Sequence, residues 1–224
     1  MYGNTSSDII KVVCLAAREP GIALLEYLIA HPSFAVQGIF THSLLPSSED
    51  PLRGQRPLFT AYQRIAQKHS IPLFIIDYVK DAKTMYRIDS IPEYDYLISL
   101  NWKFLVPAHI LGKSRIADIN LHRGKLPEYK GLEPIKRMLC DGLDYVTITT
   151  HIMDEEYDSG TILHEYNHLA HIKENETLEE AISRLKKELV PHYPQCAIHA
   201  INKIRTQLLN QKALQYEREN IYHS

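Results

Sequence analysis

Asn120 and His122 stand two residues apart near the start of the stretch 117–131, ADINLHRGKLPEYKG. Ile119 and Leu121 alternate with them, so a strand here would turn both polar side chains to one face. Gly124, Pro127 and Gly131 follow as turn residues and end that strand in a loop. A histidine can move a proton near neutral pH. An asparagine amide can donate to an oxygen that becomes negative as a carbonyl is attacked. Joined by a carboxylate, the two would make an acyl-transfer site that needs no covalent nucleophile. The acidic turn DEEYDSG at 154–160 is a source of that carboxylate, but spacing alone does not bring it to His122. A polar edge strand entering a tight turn explains the same residues without chemistry, and spacing leaves both readings open.

Two other patterns compete. HEYNH at 164–168 is a literal match to H-E-x-x-H. On a helix, His164 and His168 would share a face and bind zinc, with Glu165 as general base of a hydrolase. The preceding DSGTIL reads as a turn and strand, which would hold the histidines at the wrong separation. No glycine follows in the extended pattern, although His171 is near, and twelve histidines make a chance match easier. The second pattern is a gap. AAREPG at 16–21 stands where a nucleotide-binding GxGxxG would fall after the first apolar run, so an ordinary NAD or P-loop reading fails. Arg18 could meet a phosphate there, or could simply open a helix.

The elements around these residues predict an α/β protein: a doubly wound, mostly parallel (Rossmann-like) sheet with helices on both faces. Residues 9–17 (IIKVVCLAA) form an apolar, β-branched run suited to a central parallel strand. Apolar residues at helical spacing follow over 22–29, then a second strand over 34–41. A Ser-, Pro- and Gly-rich loop over 44–57 leads to a short amphipathic helix at 58–69 and a third strand at 71–76. A weak helix over 81–89, a fourth strand over 94–100 and the 117–131 stretch come next. A short helix over 133–140, a strand over 145–153 and a strand returning over 161–168 complete the core. The longest helical segment spans 177–204 and is expected to break near Pro191 and Pro194. These elements predict one catalytic domain over 1–204 and a helical or flexible tail over 205–224. In that tail Leu208, Leu209 and Leu214 allow either a homodimer contact or fraying.

With 45% apolar and 23% charged residues, the 224-residue chain has the balance of a soluble globular protein. Its net charge of -2 lacks the basic excess that binding a phosphate backbone demands, so nucleic acid is not an expected partner. No apolar run reaches the roughly 20 residues needed to cross a bilayer. The opening MYGNTSSDII has no basic segment followed by an apolar run, and Cys14, Cys140 and Cys196 are widely spaced. Both features lead to the expectation of a reducing, cytoplasmic setting.

The motifs resemble those of the formyltransferases that use 10-formyltetrahydrofolate. Asn120 and His122 match Asn-x-His, and residues 126–131 match Leu-Pro-x-Tyr-x-Gly. His151-Ile152-Met153 and Asp158-Ser159-Gly160 match the later stretch ending in Asp-x-Gly. The likeness runs over roughly residues 8–170. It implies a catalytic trio of Asn120, His122 and Asp158, and 10-formyltetrahydrofolate as co-substrate. It also implies that Trp102, Lys103, Leu105 and Asp154 bind the folate, that Tyr129 and Lys125 meet the second substrate, and that no metal is needed. The family fold would put 161–168 on a strand, which weakens the zinc reading.

Within that family, two branches usually carry serine where Gly124 stands. The purine-synthesis branch also has a Gly-x-Gly-Ser-Asn loop after its first strand, and that loop is absent here. His122-Arg123-Gly124-Lys125-Leu126-Pro127 instead resembles the sugar N-formyltransferases. The resemblance therefore implies small-molecule substrates: a folate and a nucleotide-linked amino sugar whose amine is formylated. Glycinamide ribonucleotide or an amino acid derivative is the alternative amine.

Overall fold

Alternating strand and helix signals in the first half of the chain fold as a parallel sheet must, with each strand returning across the layer through a helix or loop. A computed structural model describes residues 9–221. The strands are β1 (Ile10–Ala16), β2 (Phe34–Thr41), β3 (Leu73–Ile75), β4 (Tyr96–Leu100), β5 (Ala117–His122), β6 (Tyr145–Ile152) and β7 (Ile162–Leu169). The helices are α1 (Arg18–Ala30), α2 (Phe59–Lys68), α3 (Val79–Thr84), α4 (Pro134–Cys140), α5 (Leu178–Glu188) and α6 (Tyr193–Ile221).

These strands form one sheet in the order β3-β2-β1-β4-β5-β6-β7. Pairings from β3 through β5 are parallel, and those of β5 with β6 and β6 with β7 are antiparallel. The chain moves outward from β1 on one side and then resumes at β4 on the other. The carboxyl ends of β1 and β4 therefore flank a topological switch point, where open α/β sheets place their ligands. The mostly parallel, Rossmann-like sheet agrees with the fold expected from the sequence.

Strand alternation divides the interior into two cores. Val12, Cys14, Ile98, Ile119 and Leu121 face the larger one, packed against α1, α4, α5 and α6. Val13, Leu15, Phe40 and Leu97 face the smaller one with Ala82, Val106 and Ile110. The second face is thus covered by the short α3, a 3-10 turn and the irregular segment 101–116 rather than by long helices. Asp118, Asn120 and His122 alternate with Ile119 and Leu121, so β5 directs them to the smaller-core side.

One local expectation needs correction, and two others gain detail. The helix expected over 81–89 is split into α3 and a 3-10 turn (Tyr86–Ser90), because buried Met85 between them takes φ of 34°. The long helix over 177–204 breaks once, at a 3-10 turn over Val190–His192. Pro191 lies in that turn, whereas Pro194 stands in the first turn of α6, where a proline displaces no helical hydrogen bond. Of the two forms expected for the tail, helical or flexible, the described part is helical. α6 runs unbroken past residue 205 to Ile221, leaving Leu208 and Leu209 exposed; the Leu214 side chain falls outside the described residues. At the start of α5, Thr177 and Glu180 cap each other's backbone N–H in a capping box.

No helix among the described residues is long and apolar enough to cross a membrane.

Candidate active site

Antiparallel pairing of β5 with β6 aligns Asn120 with His151 and His122 with Thr149. Directly paired residues project to the same face, so four polar side chains meet at the end of β5. The turn after β6 then folds back and brings Asp158 to them, with φ of 53° at that residue. A positive φ is uncommon for a residue with a side chain, although aspartate adopts it more readily than most.

Asp158 joins the group. One of its oxygens lies 3.2 Å from His122 Nδ1 and accepts the Gly131 backbone N–H at 2.9 Å. The other accepts the Asn120 amide at 3.3 Å and lies 3.5 Å from His151 Nε2. The Asn120 amide also donates to His151 Nε2 at 3.1 Å, and His151 Nδ1–H donates to the Ile152 carbonyl at 2.7 Å. These contacts set the His151 tautomer, with its proton on Nδ1. His122 Nε2–H donates to the Tyr129 carbonyl at 2.8 Å. The carboxylate that residue spacing could not supply is therefore Asp158.

Protonation of the pair is finely balanced. Burial pushes the His122 pKa below its usual value, while Asp158 and the Tyr129 carbonyl pull the other way. Burial alone would raise Asp158, but its contacts with His151, His122 and the Gly131 N–H hold the carboxyl below its usual range. Both ring nitrogens of His122 face acceptors. A neutral ring can satisfy only one of them with a proton, and a second proton satisfies both. Burial favours the neutral ring, whose Nδ1 beside Asp158 is placed to accept a proton.

Residues 82–196, about half of the 224-residue chain, match the family model described as formyl transferase. The chain belongs to the formyl transferase family. Methionyl-tRNA formyltransferase from Staphylococcus epidermidis is 26% identical over 185 residues, covering 80% of this chain and 56% of that one. The chain thus spans little more than half the length of this curated relative. Among solved structures, glycinamide ribonucleotide transformylase 1 from Symbiobacterium toebii aligns with a TM-score of 0.62 at 18% identity, covering 88% of each chain. A sugar 3N-formyl transferase, WlaRD, solved with dTDP and 5-N-formyl-THF, aligns at 0.57 and 14% identity, covering 88% of this chain and 64% of that one. At such identities the solved structures establish shared fold.

Of the other positions singled out in the sequence, Tyr129 touches this centre through its carbonyl, whereas Trp102 and Lys103 contact residues that follow β2 and β3. Trp102 stacks on His42, with ring centroids 4.3 Å apart, and its indole Nε1–H is buried without a partner. Lys103 Nζ donates to the Asp77 carbonyl at 3.2 Å, while Leu105 remains 41% exposed. Asp154 accepts the Ser159 hydroxyl at 2.6 Å and the Glu156 N–H at 3.1 Å, so its carboxylate shapes the acidic turn. The Tyr129 hydroxyl donates to Asp141 at 2.9 Å, which turns its ring toward α4 and leaves only its carbonyl at His122. Lys125 Nζ lies 3.8 Å from Glu128.

His151 was missed as a site residue, although its motif was in view. The signal was the strand alternation that places Thr149 and His151 on one face. Gly124 has its own geometry. A Cβ there would lie 2.6 Å from Pro134 Cβ, 2.8 Å from the Tyr129 carbonyl and 2.9 Å from His122 Nε2. The loop can close against the histidine only because that position has no side chain.

The zinc reading fails on geometry. His164 and His168 lie on strand β7, where four residues of extended chain separate them by roughly 13 Å. His164 packs beside His199, and His168 lies 3.1 Å from Glu188.

A pH dependence follows from a third buried histidine, just beyond the end of β2. His42 is 1% exposed, and burial lowers its pKa to about 3 against the opposing Ile76 carbonyl contact. The unfolded chain takes a proton here below pH 6.5 and the native state does not, so stability is expected to fall from pH 6.5 toward 3. The slope from this group is about 1.4 kcal/mol per pH unit. Asp158 adds to the fall, since its lowered pKa contributes stability that is lost as pH drops through its native value. Urea unfolding from pH 7 to 4 measures this, and His42→Gln is expected to flatten the slope.

Proposed function

We propose that this protein transfers a formyl group from 10-formyltetrahydrofolate to the amine of a nucleotide-linked amino-deoxysugar. The observation that carries the reading is the junction at Asp158, whose carboxylate touches Asn120, His122 and His151 together. A proton acceptor, a relay and an amide donor within hydrogen-bond reach are what formyl transfer to an amine needs.

The chain's residues fit a folate on the smaller-core side of β5. Segment 101–107 is irregular and packs Trp102, Phe104 and Val106 against that core. The orphaned Trp102 indole N–H leaves a buried donor for a polar ring edge. When bound, the formyl folate supplies an electrophilic carbonyl carbon whose oxygen becomes negative as the amine attacks. The Asn120 amide donates to that oxygen, exchanging a contact with Asp158 or His151. Asp158 takes up the proton released by the amine and shares it with His122 Nδ1. His122, with Nε2–H already on the Tyr129 carbonyl, would hold that proton until the oxyanion collapses and the bond from the formyl carbon to the folate nitrogen breaks, and would then return it to that nitrogen as tetrahydrofolate leaves. Gly131 N–H holds Asp158 in place throughout.

Gly124 supports the sugar branch, because the loop geometry excludes the serine usual in two other branches. Formyl transfer to a panel of amines tests the reading: nucleotide-linked 3-amino- and 4-amino-deoxysugars, glycinamide ribonucleotide and methionyl-tRNA, each with 10-formyltetrahydrofolate. Formylated sugar with release of tetrahydrofolate is expected. Turnover confined to glycinamide ribonucleotide or methionyl-tRNA replaces the sugar assignment, and turnover with none of them removes the activity.

A further inference from the structure

Two residues before Asn120 on β5 stands a carboxylic acid that the proposed chemistry does not use. Asp118 is 6% exposed, and strand alternation turns it to the face that carries Asn120 and His122. Val106 and Ile110 are buried in the smaller core on that side of the sheet. Burial pushes the Asp118 carboxyl above its usual range, while the Gly112 N–H and the Ser114 hydroxyl pull it down. A buried carboxyl is unfavourable unless its partners repay the lost hydration.

Those partners belong to the two irregular segments that flank the site. One Asp118 oxygen accepts the Gly112 N–H. Gly112, at φ of 79°, lies in a turn that closes on itself as the Ile110 and Leu111 N–H groups donate to the Pro107 carbonyl at 2.8 and 3.2 Å. That turn continues directly from segment 101–107, where Trp102, Lys103 and Leu105 are expected to meet the folate. The Asp118 carbonyl accepts the Met153 N–H at 2.8 Å. Met153 packs against the smaller core and precedes Asp154, the first residue of the acidic turn. Side chain and backbone of one buried residue thus hold both segments to β5, roughly 7 Å along the strand from Asn120.

Stability does not account for an acid here. The second Asp118 oxygen and the Tyr94 hydroxyl are both buried without a hydrogen-bond partner, and the charge of Asp118 raises the Tyr94 pKa. An apolar side chain would fill this place with no unmet oxygen and no charge to desolvate, and such exchanges are often neutral or stabilising. Gly112 is exposed, so water could serve its N–H as well as Asp118 does. The bond therefore fixes where the turn sits, rather than rescuing a buried donor.

We propose that Asp118 is a positioning residue for the folate: it holds the 101–113 stretch and the start of the acidic turn in place against the strand that supplies Asn120 and His122. The folate role rests on the formyl-transfer reading. A ligand held between these segments is then located by the same strand that carries the amide and the ring. A misplacement of about 1 Å can cost about 100-fold in rate.

Calorimetric titration with 5-formyltetrahydrofolate, amide hydrogen exchange, and kinetics with 10-formyltetrahydrofolate and the amine that the panel identifies test this on the full chain. Asp118→Leu is expected to bind the folate about tenfold more weakly and to raise its KM by a similar factor. The KM for the amine is expected to stay unchanged, and the thermal midpoint to stay near that of the wild type. Amide exchange across 101–113 is expected to quicken. Asp118→Asn keeps an oxygen for the Gly112 N–H and is expected to restore both affinity and slow exchange. Asp118→Ala carries the same expectations as Asp118→Leu should the leucine variant fail to fold. Wild-type folate affinity and exchange in Asp118→Leu overturn the proposal. Equal loss of affinity for both substrates together with a lowered midpoint also overturns it, because that marks a general structural role. Wild-type protein that binds no folate removes the formyl-transfer reading, and the folate role falls with it. Wild-type protein that binds and turns over folate, with Asp118→Leu doing the same, removes the positioning role alone.

Discussion

Asp158→Ala and His122→Ala are each expected to lose about 100- to 10,000-fold in formyl transfer at saturating substrates. Asp158 is the stronger test because three catalytic-face side chains depend on it. Without its carboxylate, the proton from the amine has no acceptor joined to His122, and the Asn120 amide loses a partner that holds its orientation. Removing the side chain also leaves the Gly131 N–H without its acceptor. Gly131 is exposed, so water can take over that N–H and little stability is lost with it. Asp158→Asn separates the two effects. It keeps an acceptor for Gly131, tolerates the positive φ and removes only the charge. Near-native thermal stability with turnover still reduced at least 100-fold is expected of it. Near wild-type turnover in Asp158→Asn and His122→Ala would remove both residues from the chemistry.

Gly160→Ala should be among the most damaging single-methyl changes in the fold. An added Cβ would run into the Ile152 carbonyl oxygen and come within 2.9 Å of its carbon, both of them backbone atoms. The same carbonyl accepts His151 Nδ1–H, and the Ile152 N–H donates to the Thr161 carbonyl at 2.9 Å. The chains at the end of β6 and the start of β7 must separate to admit the methyl group, carrying His151 and the Asp158 turn with them. Overpacking of this kind costs about 1–3 kcal/mol. A lower urea midpoint is expected together with reduced turnover, because the same movement displaces the site. An unchanged midpoint would show that the turn adapts more easily than its close packing implies.

Much of the fold was legible because its signals are local. The run IIKVVCLAA makes a buried strand in any context that covers both its faces, and alternation alone puts Asn120 and His122 on one side of β5. Asp158 was not legible from spacing. It lies 36 residues beyond His122 and arrives only because β5 and β6 pair antiparallel, so the motif resemblance had to supply it. His151 was readable in principle, since one strand register places it opposite Asn120. Near the two late prolines the expected break is there, at Pro191, while Pro194 sits inside the first turn of the next helix and stops nothing.

The Gly131–Asp158 hydrogen bond has a consequence for the order of events. It ties the loop after β5, which carries the residues expected to meet the amine substrate, to the turn after β6, which carries Asp154, expected to bind the folate. Ordering either segment sets the position of its partner through that bond. On the proposed reading, occupancy at one approach is expected to change affinity at the other, by the same factor in both directions. Whether the two ligands enter independently or in sequence becomes a property of one backbone amide and one carboxylate.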